Sequence, residues 1–281
     1  MRFRKIYLEI SNICNLSCSF CHGTDRAPRS MTCEEFSSVL EKISPYTDYL
    51  YFHLMGEPLR HPHLEEFLSV ADNFGFRVII TTNGVLIPRK KELLLSARAL
   101  HKVNISLHAF EANDLPLPFD EYLVGCLDFG KAASLAGEKI VVYRLWNKGG
   151  KEALNGEILD RIREKFGSFN ESYDARRGIT LGNRVNLEYG DKIDWPDLAA
   201  TDMGEKVFCY GLRDQLGILC DGTVVPCCLD AEGDIALGNI FEDSMENILS
   251  SERAKALYEG FSNRCATEDL CRRCGYAQRF K

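Results

Sequence analysis

The sequence predicts an α/β fold: a partial (β/α)6 parallel barrel followed by a small extension made of a β-hairpin and a helix. Three observations predict it. Strand-like and helix-like runs alternate from residue 5 to about residue 189, the pattern of a parallel sheet covered by helices. Six such units are too few for an eight-fold barrel, so the sheet should curve without closing. From about residue 200 the style changes to a hairpin and a cysteine-rich tail, which divides the chain into 1–200 and 201–281.

The first strand covers 5–11, where Ile6, Leu8 and Ile10 alternate with Tyr7, Glu9 and Ser11. Helices are expected at 32–43, 63–74, 89–98, 119–135 and 154–166, and strands at 49–55, 76–82, 102–108 and 139–146, with a weaker strand at 184–189. Strands buried on both faces of a parallel sheet should be apolar throughout. Here Leu50, Phe52 and Leu54 alternate with Tyr51, His53 and Met55, and Val103, Ile105 and Leu107 with Asn104, Ser106 and His108. One reading puts the apolar set on the helices and the polar set around a cavity suited to a small polar ligand. An edge strand or a face open to water gives the same alternation, but several strands sharing it favour the cavity. In the extension, Gly211–Cys228 reads as a hairpin turning at Asp221-Gly222, with a helix at 244–260.

Composition narrows the setting. The chain has 281 residues, 45% of them hydrophobic, enough for a large core, and its net charge of −7 gives no bulk attraction for nucleic acid. The basic runs Arg2–Lys5, Arg89–Lys91 and Arg176–Arg177 read as solvated surface. No run approaches 18 apolar residues and none resembles a signal peptide, so a cytoplasmic protein without membrane association is expected. In the reducing cytosol, twelve cysteines point to metal ligation rather than disulfides. Cys33 and Cys126 fall alone within expected helices and read as core packing.

The other cysteines gather at the two ends. Cys14, Cys18 and Cys21 form C-x3-C-x2-C just after the first strand, with Phe20 before the last. Three thiolates at a strand mouth can hold three irons of a [4Fe-4S] cluster and leave the fourth open, and an open iron can bind a reactant. Reactive sites of parallel folds lie at such strand ends. At the other end, seven cysteines lie beyond residue 208.

These motifs resemble the radical S-adenosylmethionine (SAM) enzymes. C-x3-C-x2-C with an aromatic before the last cysteine is their signature. MGEP at Met55–Pro58 resembles their GGEP segment with Met in place of the first glycine, and TTNG at Thr81–Gly84 resembles the close of their third strand. ISLH at Ile105–His108 resembles their ISLD, with His108 where aspartate is usual. The tail is similar to the SPASM/twitch extension: Cys209, Gly222 and Cys227 fit C-x9–15-G-x4-C, and LCRRCGY supplies Cys271 and Cys274. Lacking the full SPASM cysteine set, it looks like the shorter twitch form, which implies one auxiliary [4Fe-4S] cluster held by Cys209, Cys227, Cys271 and Cys274, with Cys220, Cys228 and Cys265 as spectators. Four thiolates also suit a structural zinc, but zinc ribbons usually pair two C-x2-C knuckles, whereas here the first pair is spread across a hairpin, which favours iron–sulfur.

The resemblance implies reductive cleavage of SAM to a 5′-deoxyadenosyl radical that takes hydrogen from substrate. It implies SAM contacts from Phe20, Gly56, Glu57, Asn83, Ser106 and Arg144, with Gly56–Glu57 placed for the amino group and Ser106 and Arg144 for the carboxylate or ribose. Glu9, His53 and His108 are then either substrate contacts and proton carriers or satisfied polar groups of the barrel. Arg26 and Arg29 face either an anionic substrate group or solvent. The expected substrate is small and polar, a nucleoside among the candidates, with a flavodoxin- or ferredoxin-type reductant. A lyase or a dehydrogenase fits first. In size and cluster count the chain also resembles queuosine lyases, which release queuine from a nucleoside. Peptide modification or enzyme maturation is the alternative.

Overall fold

The computed structural model describes residues 2–169, 172–174 and 178–280, and the basic pair Arg176–Arg177 lies outside them. Five parallel strands, each followed by a helix, open the chain. They are β1 (Lys5–Leu8), β2 (Tyr49–Phe52), β3 (Arg77–Thr82), β4 (Leu100–Ser106) and β5 (Ile140–Lys148). The helices are α1 (Cys33–Ile43), α2 (Leu64–Asn73), α3 (Ile87–Ser96), α4 (Phe119–Ala136) and α5 (Asn155–Phe166). After a short β6 (Ile179–Gly182), β7 (Val185–Asp191) adds a sixth parallel strand beside β5, with β6 antiparallel on its outer edge. This is the α/β partial barrel that the alternation predicts.

The extension joins the same sheet. β8 (Gln215–Ile218) pairs in parallel with β1, on the side away from β2. β9 (Thr223–Val225) and β10 (Gly238–Asn239) continue it antiparallel. Among the described residues the strand order is β10-β9-β8-β1-β2-β3-β4-β5-β7-β6, so the sheet runs unbroken across residue 200. The hairpin turns at Asp221-Gly222. Gly222 has a φ of +88°, and a Cβ there would lie 2.4 Å from Asn239 Oδ1.

Local sequence explains the elements. α1 starts with a capping box in which the Thr32 side chain accepts from the Glu35 amide and the Glu35 carboxylate accepts from the Thr32 amide; Phe36, Val39, Leu40 and Ile43 then bury one face. α4 ends at Gly137, whose φ of +73° closes the last turn. The alternation divides as expected: Ile6, Leu8, Leu50 and Phe52 are fully buried toward the helices, while the register places Tyr7 beside Tyr51 on the inner face.

Four elements differ from expectation. β2 stops at Phe52 rather than running to 55, so His53 lies just beyond it. β1 stops at Leu8, because the chain then leaves the strand for a loop tied down by a Ser11–Ser30 bridge. β4 stops at Ser106, and His108 stands in a 3-10 turn over Leu107–Ala109. The helix expected at 244–260 is two, α6 (Met245–Ser250) and α7 (Glu252–Ser262). Ser251 is extended (ψ 152°) and caps α7 by accepting from the Ala254 amide. A short α8 (Asp269–Arg272) carries Cys271. Among the described residues no helix is long and apolar enough to cross a membrane.

Candidate active site

A cavity of about 450 Å³ opens at the C-terminal ends of the barrel strands and reaches inward past Tyr7 and Tyr51 to Lys5. Cys14, Cys18 and Cys21 line its mouth from the loop between β1 and α1. That loop is held from several sides. The Asn113 Nδ2 donates to Cys18 Sγ (3.1 Å), and the Asn83 Nδ2 donates to Asn15 Oδ1 (2.9 Å) with Cys14 Sγ at 3.9 Å. The Leu16 and Gly23 amides donate to Cys14 and Cys21 Sγ, each at 3.4 Å. Burial pushes the Cys14 thiol up and takes that of Cys18 to about 11, so binding to iron is what would remove their protons.

The MGEP turn packs directly beneath. Gly56 has a φ of +76°, and a Cβ there would sit 2.2 Å from the Ser11 carbonyl oxygen, so only glycine lets the turn lie this close to the cysteine loop. The Glu57 amide then donates to the Ile13 carbonyl (3.1 Å). The Glu57 carboxylate accepts from the Leu59 amide (3.0 Å) and the Asn83 amide (2.8 Å), which stitches MGEP to TTNG. Burial nevertheless raises its carboxyl to about 7, against those two amides.

The remaining expected residues divide. Phe20, Gly56, Glu57, Asn83, Ser106, Arg144, His53 and His108 all face the cavity. The Phe20 ring lies against His108 (centroids 4.8 Å apart), and His108 Nδ1 is 3.0 Å from the Arg144 carbonyl oxygen. Arg144 stacks on Trp146, 4.1 Å from its ring centroid, and donates to Glu188 (3.3 Å). Burial, with Arg144 and Lys5 adding, holds the His53 imidazole down to about 3, so it is neutral.

Glu9 is not in the cavity. Its carboxylate is fully buried and takes both bonds of Arg26 (2.8 Å each) together with the amides of Met55 and Cys220 (3.1 Å each). A carboxylate with four such bonds has no free lone pair for substrate. Asn104 is likewise buried and donates to Thr81 Oγ1 (3.1 Å). Arg26 therefore faces Glu9, and Arg29 pairs with Glu35 of α1, so neither is turned toward a ligand.

Cys209, Cys227, Cys271 and Cys274 line the other wall of the same cavity. Burial pushes all four thiols up, that of Cys209 to about 11, and for Cys209, Cys227 and Cys271 neighbouring members of the set add to it. Of the cysteines expected as spectators, Cys220 is buried beside Arg26 and Cys265 bridges to the Lys206 backbone. Cys228 reaches the cavity next to Tyr7. Several site features carry no mark in the sequence. Asn113 lies in a loop without a motif, and a strap of Lys192, Ile193, Trp195 and Pro196 lines the cavity from a stretch that carries no part of the resemblance. The Trp195 Nε1 donates to the Phe20 carbonyl (3.1 Å), fastening the strap to the cysteine loop.

A parallel partial barrel with a three-cysteine loop at its strand ends and a second cysteine set on its extension defines a cluster-bearing barrel protein. Residues 8–123 match the radical SAM superfamily, and residues 209–275 match the SPASM iron–sulfur cluster-binding domain. A GTP 3′,8-cyclase of Microcystis aeruginosa is 30% identical over 299 residues, covering 90% of each chain. The protein belongs to the radical SAM superfamily. The S-adenosyl-L-methionine-dependent 2-deoxy-scyllo-inosamine dehydrogenase of Niallia circulans is 23% identical, covering 97% of this chain and 92% of that one. The sporulation killing factor maturation protein SkfB of Bacillus subtilis is 24% identical over 88% of this chain, which spans 64% of that protein's length. Among solved structures, BtrN with AdoMet and 2-DOIA superposes with a TM-score of 0.57 at 20% identity, covering 98% of this chain and 94% of that one. Streptococcus suis SuiB bound to S-adenosylmethionine gives 0.64 at 17%, covering 98% and 72%. At these identities the likeness is one of fold.

The family brings a [4Fe-4S] cluster used with SAM, and the SPASM region brings auxiliary iron–sulfur binding. The donors fit. Cys14, Cys18 and Cys21 at the mouth, and Cys209, Cys227, Cys271 and Cys274 on the other wall, are all free thiols lining one cavity, the soft donors that iron–sulfur clusters take.

Proposed function

We propose that this chain is a radical SAM enzyme that removes hydrogen from a small polar substrate held in the central cavity, acting as a dehydrogenase in preference to a lyase. One observation carries the reading: both cysteine sets open on the same cavity. A ligand there lies between the two, and a dehydrogenation has to lose an electron. When bound, the clusters and SAM supply one-electron chemistry, namely hydrogen-atom abstraction by a 5′-deoxyadenosyl radical and an acceptor for the released electron.

The chain's own residues do the rest. Cys14, Cys18 and Cys21 would hold the SAM-binding cluster, and Cys209, Cys227, Cys271 and Cys274 one auxiliary cluster. Phe20, Gly56, Glu57, Asn83, Ser106 and Arg144 would seat SAM. His53 and His108 face the cavity, and burial lowers both imidazoles, which keeps the rings neutral and leaves them as hydrogen-bonding contacts for substrate. The relative spanning nearly the same length acts, by its name, on a polar cyclic amine, which supports the dehydrogenase reading. Nothing in these relatives extends the queuosine-lyase likeness. A second reading, peptide modification, is favoured by the fold shared with SuiB, one of whose structures is bound to a precursor peptide, SuiA. A flavodoxin- or ferredoxin-type protein would supply the electron.

The test uses protein reconstituted anaerobically with iron and sulfide, then given dithionite and SAM. Small amino-polyols, nucleosides and peptides are compared for 5′-deoxyadenosine and for a product lighter by two hydrogens. Product from the amino-polyols supports the dehydrogenase, and product from peptides alone moves the assignment to the second reading. Absence of 5′-deoxyadenosine from cluster-loaded protein would overturn both.

A further inference from the structure

The inner end of the cavity carries an excess of positive charge that the fold does not neutralise. Lys5 opens β1, Lys102 lies on β4 and Arg144 on β5: burial first, and Arg144 after it, lower the affinity of both ammonium groups for their protons, against Cys228 at Lys5 and Glu188 at Lys102. Glu188 of β7 pairs with Arg144 (3.3 Å) and stands 3.7 Å from the Lys102 Nζ. Lys5 has no carboxylate within ion-pair distance among the described residues; its ammonium sits instead over the rings of Tyr7 (5.0 Å) and Tyr51 (5.1 Å). Asp214 acts on it only from further off and is itself paired with Arg4. The side chains of Arg144, Glu188 and Lys102 are only 14%, 17% and 24% exposed. Three cations against one carboxylate, in a chamber this secluded, are costly to keep unpaired. They stand out further in a chain whose net charge is −7.

Two further observations point to a ligand. His53, whose ring centroid lies 5.1 Å from that of Tyr7 and 5.7 Å from that of Tyr51, carries a buried Nδ1 with no hydrogen-bond partner. Tyr7, Tyr51 and Trp146 wall the chamber with flat apolar faces. Lys102 lies four residues before Ser106 on β4, roughly 13 Å deeper along the strand. It is therefore well separated from the level at which Ser106 would meet SAM.

We propose that this inner end is a subsite for an anionic group of the substrate, a carboxylate or a phosphate, bound by Lys5 and by the unpartnered His53 Nδ1 in its protonated tautomer, with Lys102 supplying charge behind them. The proposal rests on the reading that the cavity holds the substrate, and it narrows the class to small polar molecules bearing an oxyanion. The positive charge left over by Glu188 is then offset by the ligand, which would also orient the opposite end of the molecule toward the cysteine loop.

The probes are benzoate and its neutral isostere benzamide, with phenyl phosphate to separate phosphate from carboxylate. Cluster-loaded protein saturated with SAM and kept without reductant is melted by scanning calorimetry at constant ionic strength. SAM's own carboxylate is then already in place. Benzoate or phenyl phosphate should raise the melting temperature saturably, by about 2–5 °C at ten times its dissociation constant, and benzamide should not. Lys5→Gln should abolish the rise, Lys102→Gln should at least halve it, and Lys5→Arg should keep it. Equal shifts with benzoate and benzamide, no shift with either oxyanion, or an undiminished shift in the Gln variants would overturn the proposal. Lys102→Gln alone decides if Lys5→Gln does not fold. Formation of 5′-deoxyadenosine by the unmodified protein, measured in parallel, tests the parent reading separately: it can succeed while the subsite fails.

Discussion

Glu9 and Glu57 are both enclosed, yet the structure uses them differently. Glu9 takes a guanidinium and two amides, so its charge is paired in place and joins the cysteine loop, the MGEP turn and the hairpin. Glu57 has backbone amides but no cation, and burial leaves its carboxyl near 7. A carboxylate so poised gains from a nearby cation such as an ammonium, and that is the physical case for Glu57 at SAM. His53 makes the complementary argument. Folded, its imidazole sits at about 3 against an ordinary 6.5, so unfolding lets it bind a proton below pH 6.5. The stability it contributes is whole above pH 6.5 and is lost as pH falls toward 3. Urea unfolding at pH 7.5 and 5.5 should therefore show the unmodified protein losing about 1 kcal/mol relative to His53→Leu between the two. An unchanged difference would mean that His53 titrates as freely in the folded chain as in the unfolded one.

At the scale of elements, the turn after β2 carries the largest consequence in the smallest change. Gly56→Ala would put a methyl 2.2 Å from the Ser11 carbonyl at a φ of +76°, and backbone cannot yield there without moving the cysteine loop. SAM affinity of the loaded protein should fall at least about tenfold, since a ~1.4 kcal/mol misfit is enough, while iron content holds. Equilibrium binding with an iron assay checks this, and unaltered affinity would remove the turn from the SAM site. The MGEP turn is legible in sequence because a glycine followed by an acid at a strand end is a local signal. So are β1 to β5, whose apolar and polar residues alternate where one face packs on helices and the other on a lumen. Glu9 is legible as an inward residue but not as a paired one. Its partners Arg26 and the Cys220 amide come from loops 17 and 211 residues away, and no local pattern encodes such a meeting. The strap at Trp195 and the donor Asn113 escape for the same reason. The break at Ser251 escapes because a single serine reads equally as helix interior or as cap.

At the scale of the whole molecule, the continuous sheet matters most. Because β8 pairs with β1, the extension does not hang from the barrel; its cysteines are carried to the rim beside the same strand that leads into the first cysteine loop. Cys21 closes one set and Cys209 opens the other, far apart along the chain, yet both sets share one chamber while keeping separate backbones. That separation makes the sets independently removable. Replacing Cys14, Cys18 and Cys21 together with Ala should abolish 5′-deoxyadenosine formation and lower iron from about eight to about four per chain, the auxiliary cluster remaining. Replacing Cys271 and Cys274 with Ala should also remove about half the iron. SAM cleavage should survive, with product formation lost, because Cys14 and Cys18 are held by Asn83 and Asn113, and the extension meets this loop at Thr24–Arg26 through Ala231 and Glu232, not through Cys271 or Cys274. Iron analysis, Mössbauer spectra and the 5′-deoxyadenosine assay on the two variants check this together. Loss of all iron in either variant would show that the two sets form one interdependent centre, and persistent SAM cleavage in the triple variant would detach the first loop from the chemistry.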